Sequence, residues 1–315
     1  MSENPPSLDD LRRQIDEIDN AIHDQLMRRT ELAQQIAVAK GTNAVIMRPG
    51  REARVLRRLV GRHRGPFPKP VICRIWREII SVFTRLQGPF AAAAFAPEDG
   101  SDLSLLARDH FGSLTPITGY GSEMGVLRAV SDGKANIGIL PLPESDRGTP
   151  WWPKLARSGK ASPKVIARLP FAALDGGRRS GPEAVVISLA EPEESGQDLG
   201  YLIVELTEAM SRGALKTLLS DAGFEVRNTQ AWADGPERTL HLVEVEGFLA
   251  SDDGRVGALV AEASQVGHAW AVGSFAVPLS AEDLAVATEG ARQPEDPEEG
   301  TADAAGTDAS TARVS

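Results

Sequence analysis

The sequence predicts a multidomain chain. An all-α domain of three helices occupies residues 1–88, an α/β segment 89–197, an α+β unit 198–279 and an acidic tail 280–315. Three observations carry this prediction. Residues 7–88 repeat apolar side chains at steps of three and four, the period of a helix face. Residues 91–156 alternate short apolar runs with helical patterns, as α/β folds do. Residues 198–279 read strand, helix, strand, strand, helix, strand.

The first helix is the longest element. Leu8, Leu11, Ile15, Ile18, Ile22, Leu26, Leu32, Ala33, Ile36 and Ala39 form one stripe. Ser7 suits the N-cap with Asp10 three residues on, and Gly41 suits the left-handed position after Lys40. Such a helix is roughly 50 Å long, whereas a small domain is about 30 Å across. The helix therefore overhangs its own fold, and its stripe calls for a partner: we expect a homodimer through the N-terminal helices. Arg29 and Lys40 lie about three turns apart on nearly one face, roughly 16 Å from each other, and could hold a small dianion between them. Arg12 is about 26 Å from Arg29 and roughly 100° around the helix. It cannot join that site from its own chain, but an antiparallel partner could bring it there.

A second helix starts near Pro49 and carries REARVLRRLVGRHR, with Val55, Leu56, Leu59 and Val60 as its apolar face; it stops at Gly65-Pro66. A third runs from about Pro70 to Gly88-Pro89. GPFAAAA reads as a linker. LSLLARDHFG reads as a helix ending at Gly112, and MGVLRAVSDGKANIGILPLPESDRG as helix, turn, buried strand and loop. Trp151 and Trp152 read as packing residues. Further on, strands are expected near YLIVEL, FEVRNTQAW, TLHLVEVEGFL and HAWAVGSFAV. Helices are expected near RGALKTLLSDA and DGRVGALVAEAS. From Ser280 the chain is acidic, Ala-rich and poor in large apolar residues, so disorder is expected there.

Charge is distributed unevenly. Residues 1–88 carry 16 Lys and Arg against 10 Asp and Glu; the remainder carries 18 against 34. A basic domain on an acidic chain points to an anionic ligand for the first part and away from nucleic-acid binding by the whole. No apolar run is long enough to cross a membrane, and the N-terminus lacks the basic and apolar regions of a signal peptide. The single cysteine, Cys73, rules out an internal disulfide and reads as a buried helix residue in a reducing, cytoplasmic setting. The five histidines show no metal-ligand spacing.

One pattern runs through residues 7–88: L-R-x-x-I-D-x-I-D, then R-R-x-E-L-A, A-x-x-K, R-E, and finally R-x-I-x-x-x-I-I ending in L-Q. It resembles the all-helical class of chorismate mutases. The resemblance implies an intertwined dimer of three-helix protomers that converts chorismate to prephenate without cofactor or metal. Carried over by residue, Arg29 and the partner's Arg12 would grip the two carboxylates. Lys40 and Gln87 would donate to the ether oxygen, Glu52 would hold the ring hydroxyl, and Arg51 would orient the site. Two positions depart from the family: Arg48 stands where an acid is common, and Phe83 where a small hydroxyl residue is common.

Downstream, residues 91–156 resemble the first lobe of prephenate dehydratases. Pro141-Leu142-Pro143-Glu144-Ser145 occupies the place of that family's Pro-Ile-Glu-Asn-Ser loop, and the family's Thr-Arg-Phe triplet does not occur. Most of the second lobe is missing, which implies a segment kept for a structural or regulatory role. Residues 198–279 resemble an ACT domain. Gly213-Ala214-Leu215 and Gly273-Ser274-Phe275 lie where its Gly-Ala-Leu and Gly-Ser-Tyr segments fall, while Thr229-Gln230-Ala231-Trp232 replaces the Glu-Ser-Arg-Pro motif linked to phenylalanine binding. An aromatic amino-acid effector and a structural or dimerising role both stay open for this unit. The expected function is chorismate mutase. The alternatives are a bifunctional mutase–dehydratase, a non-catalytic regulatory protein that binds chorismate or an amino acid and, last, a nucleic-acid module on the Arg-rich second helix.

Overall fold

The computed structural model describes residues 6–40, 47–98, 102–143, 149–156, 162–172, 181–233 and 238–285. Three helices come first: α1 (Leu8–Lys40), α2 (Pro49–Arg62) and α3 (Lys69–Leu86). Ser7 caps α1 by accepting from the Asp10 N–H at 3.2 Å. Pro49 opens α2, where a missing N–H costs nothing. The sequence periods predict all three helices to within a residue or two.

Six strands and three helices follow as β1 (Ala92–Phe95), α4 (Ser104–Phe111), β2 (Ile117–Tyr120), α5 (Glu123–Ser131), β3 (Ile137–Pro141), β4 (Lys164–Leu169), β5 (Ala184–Ser188), β6 (Asp198–Leu206) and α6 (Arg212–Asp221). The chain continues with β7 (Val226–Ala233), β8 (Thr239–Glu246), α7 (Gly254–Glu262), β9 (Val266–Ala276) and α8 (Ala281–Leu284). The described strands form one sheet in the order β2-β1-β3-β5-β4-β9-β6-β8-β7. β1 runs parallel to both β2 and β3. β6 to β9 pair with one another antiparallel and follow the βαββαβ order expected for 198–279.

GPFAAAA is not a linker. Ala92, Ala93 and Ala94 are fully buried in β1, between β2 and β3. Their small side chains let a helix approach from each side. Ala93 joins the α5 side with Val126 and Val130, and Ala92 and Ala94 join the α4 side with Ala107 and Phe111. Alanine has weak strand preference, so burial in the sheet overrides local propensity. Trp151 and Trp152, at a single 3-10 turn, are buried as expected, and Trp151 Nε1 donates to the Pro141 carbonyl at 3.1 Å. They join the core against Tyr201, Leu240 and Phe275 from the βαββαβ unit, so the expected domain border at 197/198 is crossed by both sheet and core.

The two halves of the sheet meet where Val165 of β4 pairs in parallel with Gly273 of β9. Gly273 has φ +144°, and a Cβ there would lie 2.1 Å from the Val165 carbonyl oxygen. Residues 280–285, part of the stretch expected to be disordered, are structured. Ser280 and Asp283 form a capping box, and Leu284 is buried with Leu56 and Val60 of α2, so the chain docks as far as α8. Of the expected disordered stretch, residues 286–315 lie outside the described residues. Glu144, Ser145 and Gly41 also lie outside them. Among the described residues no helix is long and apolar enough to cross a membrane.

Gly273→Ala should lower the stability of the chain by about 3 kcal/mol, because it adds both left-handed strain and a backbone clash. Urea unfolding checks this; an unchanged midpoint would contradict the close approach at the β4–β9 seam.

Candidate active site

α1 meets α3 where the Arg29 guanidinium lies 4.0 Å from the centre of the Phe83 ring. Phe83 is buried, and Gln87 at the end of α3 donates its Nε2 to the Phe83 carbonyl at 3.0 Å. The first turn of α2 brings exposed Arg51 to the same place. Partial burial of the Arg29 guanidinium and then the charge of Arg51 lower its pKa. Neither arginine sheds its proton, so an anion between them would be favourably placed. Arg29 and Arg51 thus make a cationic corner at Phe83, whose carbonyl holds the Gln87 amide one turn further along α3.

Two expected residues stand elsewhere, and a third is partly outside the described structure. Arg12 is far along α1, exposed, and paired with Asp9 at 3.4 Å. The backbone of Lys40 ends α1, and its side chain lies outside the described residues. Glu52, expected at a substrate hydroxyl, is turned inward. It sits one residue, about 100°, round α2 from Arg51. Its Oε2 accepts from Arg77 Nη1 at 2.8 Å, and both side chains are buried at the junction with the α/β body. The Arg48 backbone hydrogen-bonds the same carboxylate. Burial pushes the Glu52 carboxyl up, an effect that Arg77 opposes and that Glu193 nearby reinforces.

The junction around this pair is extensive. Arg57 of α2 donates to the Ser195 hydroxyl at 2.9 Å, the Gln197 carbonyl at 2.9 Å and the Val277 carbonyl at 2.8 Å. Phe171 lies under both Arg57 and Arg77, at 5.7 and 5.3 Å. Lys69 donates to the Asp283 carbonyl at 2.9 Å. Glu193 accepts from the Arg51 backbone N–H at 2.9 Å and pairs with Arg48. Glu193 lies between β5 and β6 and carries no motif; the sign of its contact in sequence is the distant Gly50, a glycine in a helix's first turn. His110 of α4 is buried beside Arg77. Burial raises the Cys73 thiol to about 11, which leaves it protonated and inert. Among the described residues no group of three His, Cys, Asp or Glu is placed to hold a metal ion.

With this geometry established, comparison with known proteins places its first part. Residues 11–88 match the family model for chorismate mutase type II, so a domain of that family stands at the N-terminus. A bifunctional chorismate mutase/prephenate dehydratase of Pseudomonas aeruginosa is 32% identical over 144 residues, which are 44% of this chain and 39% of that protein. One from Stutzerimonas stutzeri is 33% identical over an equal span, with the same shares. The chain thus covers about two fifths of the length of these curated relatives. A crystal structure of a prephenate dehydratase in complex with L-Phe from Arthrobacter aurescens aligns with 62% of this chain and 92% of its own, at 14% identity and a TM-score of 0.44.

His110 gives the junction a pH dependence. Burial first, and the charge of Arg77 second, hold its imidazole well below the ordinary 6.5. The unfolded chain takes up that proton as pH falls through about 6.5, while the folded chain resists it, so folding stability is lost with acidification. Glu52 acts in the opposite sense, since a raised carboxyl favours the folded state as pH falls toward its ordinary 4.5. Between about pH 7.5 and about pH 5.5 the melting temperature should fall, and it should fall less in His110→Gln. Equal slopes in the two proteins would remove His110 from the account.

Proposed function

We propose that the N-terminal domain is a chorismate mutase that acts as a homodimer through α1 and rearranges chorismate to prephenate. The observation that carries this reading is the crowding of Arg29 and Arg51 where α1 meets Phe83 of α3, in a domain matching that family. Chorismate is a dicarboxylate, and its rearrangement is internal and pericyclic. The protein has to hold the compact reactive conformer and stabilise charge that develops on the ether oxygen. Arg29 and the partner's Arg12 hold the carboxylates, and Arg51 orients them. Lys40 and Gln87 donate to the ether oxygen. Glu52, already engaged by Arg77 and the Arg48 backbone, serves by fixing α2 and not by taking the ring hydroxyl. The dimer is supported by α1 itself: Leu8, Leu11, Ile15, Ile18, Ile22, Leu32 and Ile36 are each 44–63% exposed along one stripe.

For the downstream part we favour an ACT-like unit with a structural role. Ser274 is consumed by the Leu199 carbonyl at 2.8 Å and the Leu249 N–H at 3.2 Å. Gln230 donates to the Pro143 carbonyl, and Trp232 joins the core. Calorimetry with phenylalanine and with tyrosine should show no binding heat; saturable heat from either would establish an effector site.

Purified chain mixed with chorismate should remove its diene absorbance, accumulate prephenate and form no phenylpyruvate. Absence of chorismate loss would sink the mutase reading, and phenylpyruvate would establish a dehydratase as well. Arg29→Ala should lower kcat/KM by about 10²-fold or more while the dimer persists in sedimentation. Near-normal kcat/KM in that variant would contradict the assignment.

A further inference from the structure

The first turn of α2 lacks a cap of its own. Arg48 occupies the N-cap position with φ −130° and ψ 75°, and its side chain makes no capping hydrogen bond. Pro49 has no N–H to satisfy, so the N–H of Arg51, at the third helical position, is the donor that an N-cap side chain would normally take. Glu193 takes it instead. Its Oε2 accepts from the Arg51 N–H at 2.9 Å, its Oε1 pairs with the Arg48 guanidinium, and Arg54 stands 3.9 Å away. The carboxylate therefore sits at the positive end of the helix dipole, between the guanidinium groups of Arg48 and Arg54.

A second observation is independent of charge. Gly50 lies against the strap that bears Glu193, and a Cβ on it would be 2.4 Å from the Glu193 carbonyl oxygen and 2.7 Å from that of Glu194. The strap is itself held at both ends. Glu191 pairs with Lys164 at 3.3 Å and accepts from the Ser251 hydroxyl. At the other end the Asp198 carboxylate accepts from the Ser195 N–H at 2.8 Å, the Ser195 hydroxyl at 2.6 Å and the Gly196 N–H at 3.0 Å.

We propose that Glu193 is a positioning residue for the mutase site: it caps α2 from the downstream domain and clamps Arg48, and so fixes where Arg51 meets the substrate. This rests on the mutase reading above. A capping group contributes about 0.5–2 kcal/mol, which sets the scale of the effect. Glu193→Ala should raise KM for chorismate about 3- to 20-fold, with kcat changed less than KM. Glu193→Gln keeps an acceptor but loses the charge, and should fall between the two. Adding Arg48→Asp to Glu193→Ala gives α2 a cap of its own and should recover most of the loss.

Gly50→Ala tests the same contact from the α2 side. Its Cβ would meet the Glu193 and Glu194 carbonyls, so it displaces the strap while leaving the Glu193 side chain chemically intact. If Glu193 positions the site, Gly50→Ala pushes the strap away and raises KM. Unchanged KM in both Glu193→Ala and Gly50→Ala would overturn the proposal, as would failure of Arg48→Asp to restore Glu193→Ala. Hydrogen exchange at the Arg51 amide is read without substrate. It should speed up in Glu193→Ala, and unaltered exchange would refute the cap even if the unsubstituted chain proved to lack mutase activity.

Discussion

The buried pair between Glu52 and Arg77 is the constraint on which the rest of the junction depends. Two charges taken out of water gain little net stability, but removal of either partner leaves the other stranded, at a cost of about 3–5 kcal/mol. The pair joins α2 to α3 and lies against Phe171, with His110 of α4 beside it. It fixes the roll of α2 about its axis. With Glu52 held inward, Arg51 must point about 100° away, toward α1. The geometry of the cationic corner thus follows from an interaction that never touches it.

The consequence is a division of labour among the three N-terminal helices that differs from the division in sequence. α2 and α3 belong physically to the α/β body. Ala53, Leu56, Val60 and Cys73 share a core cluster with Phe171, Ala276 and Leu284. Gly112 at the end of α4 comes so close to α3 that a Cβ would lie 2.0 Å from the Ser81 hydroxyl oxygen, and Glu78 accepts from the Ser113 N–H at 3.1 Å. α1 instead stands out with its apolar stripe half-exposed. In the proposed mutase, two of the elements that build each site are set by the downstream domains, while α1 is set by the partner.

Much of this was legible in the residues. The 3.6-residue period of α1, Pro49 at the start of α2 and the Gly-Pro stops marked the helices, because those signals act within a few residues. The βαββαβ order of 198–279 was legible for the same reason. Ala92–Phe95 was not, since an alanine run gives no strand signal until neighbouring strands and two helices bury it. Nor was the inward turn of Glu52, because its partner Arg77 lies on another helix. Glu193 was the least visible: its role depends on a contact across 142 residues, and nothing near it in sequence distinguishes it from Glu191 or Glu194. Arg29 and Lys40 were legible together because they share one face of α1, and Arg12, Arg51 and Gln87 because they fall in the family pattern; their supports were not, because supports are tertiary.

If α2 belongs to the α/β body, it unfolds with that body and not with α1. Native-state hydrogen exchange on the full chain decides this by comparing α2 amides with those of β6 and β9 under increasing denaturant. α2 should reach the same opening free energy as β6 and β9, while α1 opens at lower cost at protein concentrations that disfavour the proposed dimer. Exchange of α2 together with α1, well before the sheet, would contradict it.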